Sequence, residues 1–311
     1  MYDTNTDKYS RFLIVSDVHG LVKEFTQFLA LMQKKYNDTI RYCVQLGDFF
    51  KGRNVIRNKK TYSFWKDTSI FKEFPFPIFS VKGNEDINIP ESWWSGGMLS
   101  LLPNLTEFQL DRFNSIPLHY FEEDGEKIRE LGVGKLIRLN MPRKRHKDEY
   151  YPMFNCTYEK NSPIAPILES DRPVDFMLSH VPPYGLLDRT RDAITHKHIR
   201  NTGSKLLRLI IDKRHPQVIF FGHNHYCNYK FFGEMLVISV DKFCRKMPYE
   251  FSSTNEYSTI TKKVDSEEEV NGFSYCVVTE KEESYLIEIY RRNQLVFQYD
   301  MLQQNILYSA F

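Results

Sequence analysis

The sequence predicts an α/β fold built around a parallel sheet, and three observations lead to this prediction. Five short apolar runs, each of strand length and too continuous for a half-exposed strand, divide the first 225 residues. A segment with helical periodicity separates the first two runs, which makes a strand–helix–strand unit with parallel strands. Asp, Asn, His and Gly residues follow the runs, where ligands bind at the carboxyl ends of strands in open α/β sheets.

The elements follow in chain order. The five predicted strands are Phe12–Val15, Tyr42–Leu46, Ile78–Val81, Asp175–Leu178 and Val218–Phe221. Leu21–Lys35 is predicted to be a helix because Phe25 and Leu29 belong to an apolar set at helical spacing, and Asn37-Asp38 ends it. A second helix is predicted over Lys205–Ile211, with Gly203-Ser204 acting as its N-terminal cap.

The rest of the chain predicts further strands and one polar loop. Strands are expected at 104–110 and 116–121, and three alternating segments near the C-terminus are expected to be antiparallel strands: Phe273–Thr279, Ser284–Tyr290 and Gln294–Tyr299. The polar acidic segment 251–272 is predicted to be a surface loop. We therefore divide the chain into a domain of residues 1–250, the loop 251–272, and strands in 273–311 that complete the same domain.

Composition argues against several classes of protein. The 42 Lys and Arg residues nearly balance the 40 Asp and Glu residues, so no global field marks a nucleic-acid coat or a membrane binder. Five cysteines without a CxxC pair argue against a disulfide framework and a cysteine zinc site, and they suit a reducing compartment. Neither a signal peptide nor an apolar run of membrane-spanning length is visible. We expect a cytoplasmic protein without a membrane partner.

Side chains that bind metal ions follow the five predicted strands. They are Asp17, His19, Asp48, Asn84, His180, His223 and His225. A mononuclear site does not need seven ligands, whereas two metals sharing one carboxylate would use all of them, and two-metal sites serve phosphoryl chemistry. Asp17 and His19 are two residues apart, a spacing that turns both side chains to one face of an extended backbone. The same spacing separates His223 and His225.

Each of these motifs also has an ordinary structural interpretation. Asp-x-His is more often a turn with a hydrogen-bonded histidine, Gly-Asp after a strand is commonly a helix cap, and Gly-Asn often marks a left-handed turn. Gly-His-x-His is more specific because paired histidines favour a metal. The joint occurrence of the motifs, each behind a predicted strand, favours metal binding over the structural alternative.

The blocks DxHG, GD, GN, SHxPP and GHxH, in this order over residues 12–225, resemble the calcineurin-like metallophosphoesterase superfamily. The resemblance implies a four-layer αββα sandwich with mixed sheets and a dinuclear metal site at the carboxyl edge of the strands. It also implies attack by a metal-bound hydroxide. The implied cofactors are two divalent ions, with Mn²⁺ as first choice and Fe²⁺, Zn²⁺, Ni²⁺ or Mg²⁺ as alternatives.

The resemblance also implies a division of the ligands between the two ions. The ligands implied for the first metal are Asp17, His19, Asp48 and His225. Asp48 is implied to bridge to the second metal, which Asn84, His180 and His223 complete.

Glu85 departs from the family pattern, because His often follows the GN asparagine in active members, where it contacts the phosphate. A carboxylate beside an anionic phosphate is unfavourable unless it is protonated or reaches a metal. A Glu85 carboxyl with a raised pKa can serve as the acid, and the alternative is that it points away from the site. The predicted catalytic residues are Asn84, Glu85 and His180.

Short motifs suggest the class of phosphoester. The segment Ser179–Gly185, followed by Gly203–Lys205, resembles the phosphodiesterase branch more than the protein phosphatases. A weaker resemblance to lariat debranching enzymes, whose GNHE is absent, rests on Gly47–Phe49, Trp94–Gly97, Pro103-Asn104 and Asp241–Cys244.

Local charge and aromatic side chains fit a polyanion. The basic side chains are Lys51, Arg53, Arg57, Lys59, Lys60 and Arg143–Lys147, and the nearby aromatic ones are Tyr62, Phe64 and Trp65. They can track a phosphate backbone and stack bases, or they can form a solvated loop with core aromatics. His196 and His198 are interpreted as surface histidines within reach of a substrate.

The prediction is a metal-dependent phosphodiesterase that hydrolyses a phosphoester of a nucleotide or a single-stranded nucleic acid. One alternative is an RNA phosphodiesterase like the debranching enzymes. The other is a scaffold or binding protein of low activity on the same fold, which Glu85 supports.

Overall fold

The computed structural model of the chain describes residues 9–50, 69–81, 83–86, 99–102, 105–109, 112–116, 138–140, 155–157, 168–171, 173–191, 199–201, 203–243, 249–254, 257–263, 273–282 and 284–310. The helices within these ranges are α1 Val22–Lys35 and α2 Lys205–Arg214, with a 3₁₀ turn at Ser69–Glu73. The first ten strands are β1 Arg11–Val15, β2 Ile40–Gln45, β3 Ile78–Val81, β4 Leu99–Leu102, β5 Leu105–Gln109, β6 Arg112–Ile116, β7 Arg138–Asn140, β8 Asn155–Thr157, β9 Phe176–Ser179 and β10 Arg189–Arg191. The later strands are β11 Ile199–Asn201, β12 Val218–Phe221, β13 Asn228–Phe232, β14 Met235–Ser239, β15 Tyr249–Thr254, β16 Tyr257–Lys263, β17 Ser274–Glu280, β18 Tyr285–Arg291, β19 Gln294–Asp300 and β20 Asn305–Ser309.

Two mixed sheets dominate the described part of the chain. The first has eight strands in the order β20-β19-β18-β17-β1-β2-β3-β4, of which β1 to β4 run parallel. The antiparallel strands β17 to β20 extend this sheet from the other side of β1. The second sheet has six strands in the order β13-β14-β12-β9-β5-β6, with a parallel centre formed by β14, β12 and β9. Smaller sheets are β11-β10-β16-β15 and β7-β8.

The two large sheets pack face to face, which follows from the alternation of side chains along each strand. Phe12 and Ile14 of β1 share one buried cluster with Phe176 of β9 and Phe220 of β12. The alternate residues of β1 face the other way and pack with α1, whose Phe25 is fully buried.

Beyond the second sheet, the outward-facing residues Met177, Ile219 and Val237 are also fully buried. Apolar residues of α2, including Leu209, are buried as well. The order of layers is helix, sheet, sheet and helix, and the predicted αββα fold with mixed sheets is confirmed.

Several local predictions can be compared with the structure directly. Helix α1 begins one residue after the predicted start, and Ser204 caps α2 by accepting a hydrogen bond from the Leu207 N–H. The loop predicted over 251–272 is wrong for residues 251–254 and 257–263, which belong to β15 and β16. The Tyr, Phe, Ile and Thr residues there favour strands, whereas the Ser and Lys residues are typical of a polar loop. Of the strand expected at 116–121, only residue 116 is described, as the end of β6. The division into domains stays a prediction.

Neither described helix has the length or the apolar character needed to cross a membrane.

Candidate metal centre

Five loops meet at one edge of the two sheets, because each follows the carboxyl end of a parallel strand. The loop after β1 is tied to the loop after β2 by the Asp17 N–H, which donates to the Gly47 carbonyl at 3.0 Å. The loops after β9 and β12 are tied by the Gly222 N–H, which donates to the His180 carbonyl at 3.0 Å. The His223 N–H donates to Asp17 Oδ2 at 3.0 Å and joins the two sheets. The strand order therefore brings ligands from both sheets together.

One group of candidate ligands consists of Asp17, His19 and His225. The His225 Nε2 atom lies 3.1 Å from Asp17 Oδ1 and 3.2 Å from the Nε2 atom of His19. Asp17 is fully buried, whereas both imidazoles are partly exposed. Two ring nitrogens and a carboxylate oxygen that converge in this way form a donor set that suits a divalent cation.

A second group joins Asp17 to Asp48 and His180. The His180 Nε2 atom lies 3.5 Å from Asp48 Oδ1 and 3.0 Å from Asn84 Oδ1, and the Nδ1 atom of His223 lies 2.9 Å from the same amide oxygen. Asp17 is thus common to the two groups, whereas the resemblance assigns the bridging role to Asp48. The bridge through Asp48 stays a prediction.

Hydrogen bonding around His180 leaves one ring nitrogen facing the centre. Its Nδ1 atom lies 2.7 Å from the Leu46 carbonyl oxygen, which can only accept, so Nδ1 carries a proton. When a cation displaces the proton on Nε2, this atom becomes an acceptor that faces another acceptor, Asn84 Oδ1, at 3.0 Å. Metal-bound histidines are oriented in the same way by a carbonyl partner. A cation between these atoms would satisfy both, so the residues fit a metal ion.

Burial and charge set the protonation of the imidazoles. Burial lowers the pKa of His19 to about 4, although the charge of Asp17 opposes this shift. Burial together with the charge of His180 lowers the pKa of His223 to about 4. Burial alone would lower the pKa of His180, but the charges of Asp48 and Asp17 raise it to about 9. His19 and His223 are therefore neutral ligands at pH 7, whereas His180 gives up a proton when a cation binds.

The carboxylates of Asp17 and Asp48 remain ionised because neighbouring histidines lower their pKa values. Burial acts to raise the pKa of Asp17, but the charge of His225 and its hydrogen bond outweigh burial and lower it. The pKa of Asp48 is lowered in the same way by His180. The centre therefore offers two buried carboxylates for cations.

Five of the seven candidate ligands have left-handed backbone conformations. The φ angles are 50° at Asp17, 47° at His19, 53° at Asp48, 64° at His223 and 53° at His225. The expectation that an extended backbone turns the paired ligands to one side is therefore wrong, although the pairs do converge. Such angles are costly for non-glycine residues, of order 1–3 kcal/mol each, and they cluster at functional sites.

The backbone of Glu85 lies beside the centre, and the direction of its carboxylate toward a substrate stays a prediction. Its N–H donates to Asp48 Oδ1 at 2.7 Å, and its Oε1 atom accepts a weak hydrogen bond from the Asn84 Nδ2 atom at 3.4 Å. The side chain is half-buried. The carboxylate is therefore adjacent to a candidate metal ligand.

Sequence reasoning missed Asp86, which holds two ligand loops together. Its fully buried carboxylate accepts hydrogen bonds from the N–H groups of Phe49, Phe50 and Gly83 at 3.1, 2.8 and 2.9 Å. Burial and the charge of Asp48 raise its pKa to about 7. The position of Asp86 two residues after Asn84 was a signal that could have identified it.

Several other predicted residues lie outside the described part of the chain. They are Lys51, Arg53, Arg57, Lys59, Lys60, Tyr62, Phe64, Trp65, Trp94–Gly97, Pro103-Asn104, Arg143–Lys147, His196, His198 and Cys244.

Comparison with known proteins identifies a family for most of the chain. The family model described as calcineurin-like phosphoesterase matches residues 10–227. Among curated protein sequences, none matches this chain. One similar solved structure is a dimetal phosphatase from Danio rerio, 12% identical with a TM-score of 0.49, covering 92% of this chain and 98% of that one.

Two further structures show the breadth of the similarity. One is an archaeal phosphodiesterase, 11% identical with a TM-score of 0.39, covering 90% of this chain and 99% of the other. The second is vacuolar protein sorting 29 from Cryptosporidium parvum, 10% identical with a TM-score of 0.35, covering 94% and 98% of the two chains. At these identities and scores the similarities assign no function.

Proposed function

Because the chain belongs to the calcineurin-like phosphoesterase family, we propose that it is a metal-dependent phosphodiesterase acting on a nucleotide or a single-stranded nucleic acid. One observation supports this proposal above the others. Two groups of buried or half-buried Asp and His ligands meet at one edge of the sheets, and such adjacent groups suit a pair of cations.

Two divalent cations fit this donor set, and we propose manganese as the native metal. Asp17, His19, Asp48 and His225 would hold one of them, and Asp48, Asn84, His180 and His223 would hold the other. Mixed carboxylate, amide and imidazole donors suit manganese better than a thiolate-preferring metal. When bound, the cations supply Lewis acidity toward the phosphate and a nucleophile at neutral pH.

The chain's own residues complete the proposed chemistry. His180 keeps its proton on Nδ1 through the Leu46 carbonyl and so presents Nε2 to the centre. Asn84 orients its amide oxygen toward His180 and His223. We assign to Glu85 the protonation of the leaving oxygen, because its carboxyl group lies beside Asn84 at the half-exposed face of the centre.

The wider assignments are also proposals. Residues 1–250 and 273–311 form one phosphoesterase domain, and β17 pairs with β1 within one sheet. A cytoplasmic location is favoured by the buried free thiols of Cys43, Cys227 and Cys276, which suit a reducing compartment.

The first experiment measures metal content and turnover together. The purified chain is stripped with a chelator, reloaded with Mn²⁺, and assayed on bis-p-nitrophenyl phosphate and on p-nitrophenyl phosphate. We expect two Mn²⁺ per chain and faster hydrolysis of the diester. His180→Ala and Asp48→Ala should lose at least one Mn²⁺ and nearly all activity, whereas His215→Ala, an exposed histidine at the end of α2, should retain both. Absence of turnover in the Mn²⁺-loaded wild type would reject the enzymatic proposal.

Two alternative functions are each suggested by one observation. A debranching activity is suggested by the Asp241-Lys242-Phe243 block, which the structure places beside β1. Loss of a synthetic 2′–5′ branched RNA on incubation with the Mn²⁺-loaded protein would support it, and intact branched RNA at high enzyme concentration would exclude it.

A scaffold role is suggested by Glu85, and a protein that holds little metal and shows no turnover would favour that role.

A further inference from the structure

Lys242 lies at the metal centre through pairing that crosses between the two sheets. After β14, the Val240 N–H donates to the Phe221 carbonyl at 2.8 Å, and the Phe243 N–H donates to the Ser16 carbonyl at 3.0 Å. Lys242 forms a parallel bridge with Ser16, the residue that precedes Asp17. The backbone of Lys242 is therefore held beside a candidate metal ligand that lies more than 200 residues away in sequence.

The ammonium group of Lys242 makes no ion pair with the described part of the chain. Two other cations in the described ranges are paired, Arg208 with Asp212 at 2.7 Å and Lys281 with Asp300 at 2.6 Å. Across those same ranges, the side chain of Lys242 takes part in no ion pair and no hydrogen bond, although it is half-buried. A half-buried cation without such a partner is available to bind an anion from solution.

The electrostatic surroundings place this cation within range of the candidate ligands. Burial is the main reason why the pKa of His19 is low, but the charge of Lys242 lowers it further. The preceding residue, Asp241, accepts the backbone N–H of Lys242 on its Oδ1 atom at 2.8 Å. Burial raises the pKa of Asp241, and the charge of Lys242 is one of the effects that partly oppose this shift. A cation near a pair of metal ions is repelled unless an anion lies between them. Phosphate is an anion that both the metal ions and a lysine can bind.

We propose that Lys242 binds a non-bridging oxygen of the substrate phosphate beside the metal centre. The ammonium of Lys242 is a compact point charge with three donors, so it can donate to a single oxygen of a phosphate. This proposal rests on the proposed function, since it takes the centre as a phosphoester site. Lys242 would then be a specificity residue for anionic phosphoesters. The seven candidate metal ligands, in contrast, would bind the metal ions.

Inorganic phosphate tests the proposal without requiring turnover. Isothermal titration of phosphate into the Mn²⁺-loaded full chain compares the wild type with Lys242→Gln, Lys242→Arg and the control Lys213→Gln, an exposed lysine on α2. We expect Lys242→Gln to raise the Kd for phosphate by about 10- to 100-fold, the range for loss of a charged hydrogen bond. Lys242→Arg should recover most of the affinity, and Lys213→Gln should match the wild type.

The companion measurements separate binding from folding and from catalysis. Bound Mn²⁺ and the thermal midpoint should be the same in Lys242→Gln as in the wild type, and kcat/KM for the diester should fall by a similar factor. Unchanged phosphate affinity in Lys242→Gln, or no phosphate binding by the Mn²⁺-loaded wild type, would overturn the proposal. Phosphate binding that depends on Lys242 in a protein without turnover would support Lys242 and reject the enzymatic proposal.

Discussion

Adding one methyl group at Gly222 tests the geometry of the metal centre. It follows β12 directly, and its N–H is bonded to the His180 carbonyl. A Cβ atom built on Gly222 would lie 1.7 Å from Ser16 Oγ and 2.4 Å from Asp17 Oδ2. Distances under 3.0 Å essentially never occur for real Cβ atoms. Gly222→Ala therefore requires neighbouring atoms to move.

The size of the required movement follows from these distances. To reach 3.0 Å, Ser16 Oγ must retreat by about 1.3 Å and Asp17 Oδ2 by about 0.6 Å. Ser16 Oγ donates to Asp17 Oδ2, which also accepts the His223 N–H, so neither atom moves independently. Metal–ligand distances tolerate only about 0.2 Å, and lost support around a ligand costs about 10- to 100-fold in metal affinity. We expect Gly222→Ala to weaken Mn²⁺ binding by that factor and to cost about 1–3 kcal/mol in stability.

The assay is a Mn²⁺ titration of the chelator-stripped protein, combined with urea unfolding of the same samples. Gly233→Ala is the matched control, because Gly233 has a φ of 62° in the hairpin between β13 and β14, at the opposite end of β14 from Lys242. Alanine there should cost about 1 kcal/mol in stability through backbone strain and leave Mn²⁺ affinity unchanged. Wild-type Mn²⁺ affinity in a folded Gly222→Ala protein would refute the placement of Asp17 in the centre.

Three further predictions follow from single buried groups. Asp86→Asn replaces one of two accepting oxygens by an amide donor that faces backbone N–H groups. We therefore expect the Mn²⁺ affinity measured by titration to fall about 10- to 100-fold. Unchanged affinity would show that Asp86 does not position the ligand loops. Burial raises the pKa of Asp241 to about 6, so the folded state holds its proton more tightly, and metal-free stability should fall as pH rises from 4 to 6. Asp241→Asn should remove about 3 kcal/mol of that pH dependence in urea unfolding, and a curve parallel to the wild type would contradict it. Ser204→Ala removes the N-terminal cap of α2 and should lower the free energy of unfolding by about 1 kcal/mol without changing the Mn²⁺ content. No loss of stability would show that the cap is dispensable.

Much of the fold could be predicted because its signals are local. The apolar runs around Phe12, Ile78 and Val218 became buried strands of the two large sheets, and the helical spacing of Phe25 and Leu29 became α1. Period and burial of such segments depend on residues close in sequence. The polar strands β15 and β16 were mistaken for a loop, because their composition alone does not distinguish the two.

The candidate site was predictable in its residue types but not in its geometry. Placing Asp and His residues at the ends of strands followed from the rule that ligands gather there. The left-handed backbone at Asp17 and His223 did not follow, because hydrogen bonds from other loops hold it. The role of Asp86 could not be predicted either, because its three hydrogen-bond donors lie in two different loops.

By itself, the amino-acid sequence determined the five buried strands that end at the site, the two helices, and the set of chemical groups at the strand ends. Periodicity and residue type are properties of short segments, so these features can be predicted locally. Only the tertiary structure decided which of those groups face one another, where Asp17 stands between the two clusters, and that Lys242 comes to lie beside Ser16. Pairing of distant strands is set by the packing of the whole domain, and no local pattern carries that information.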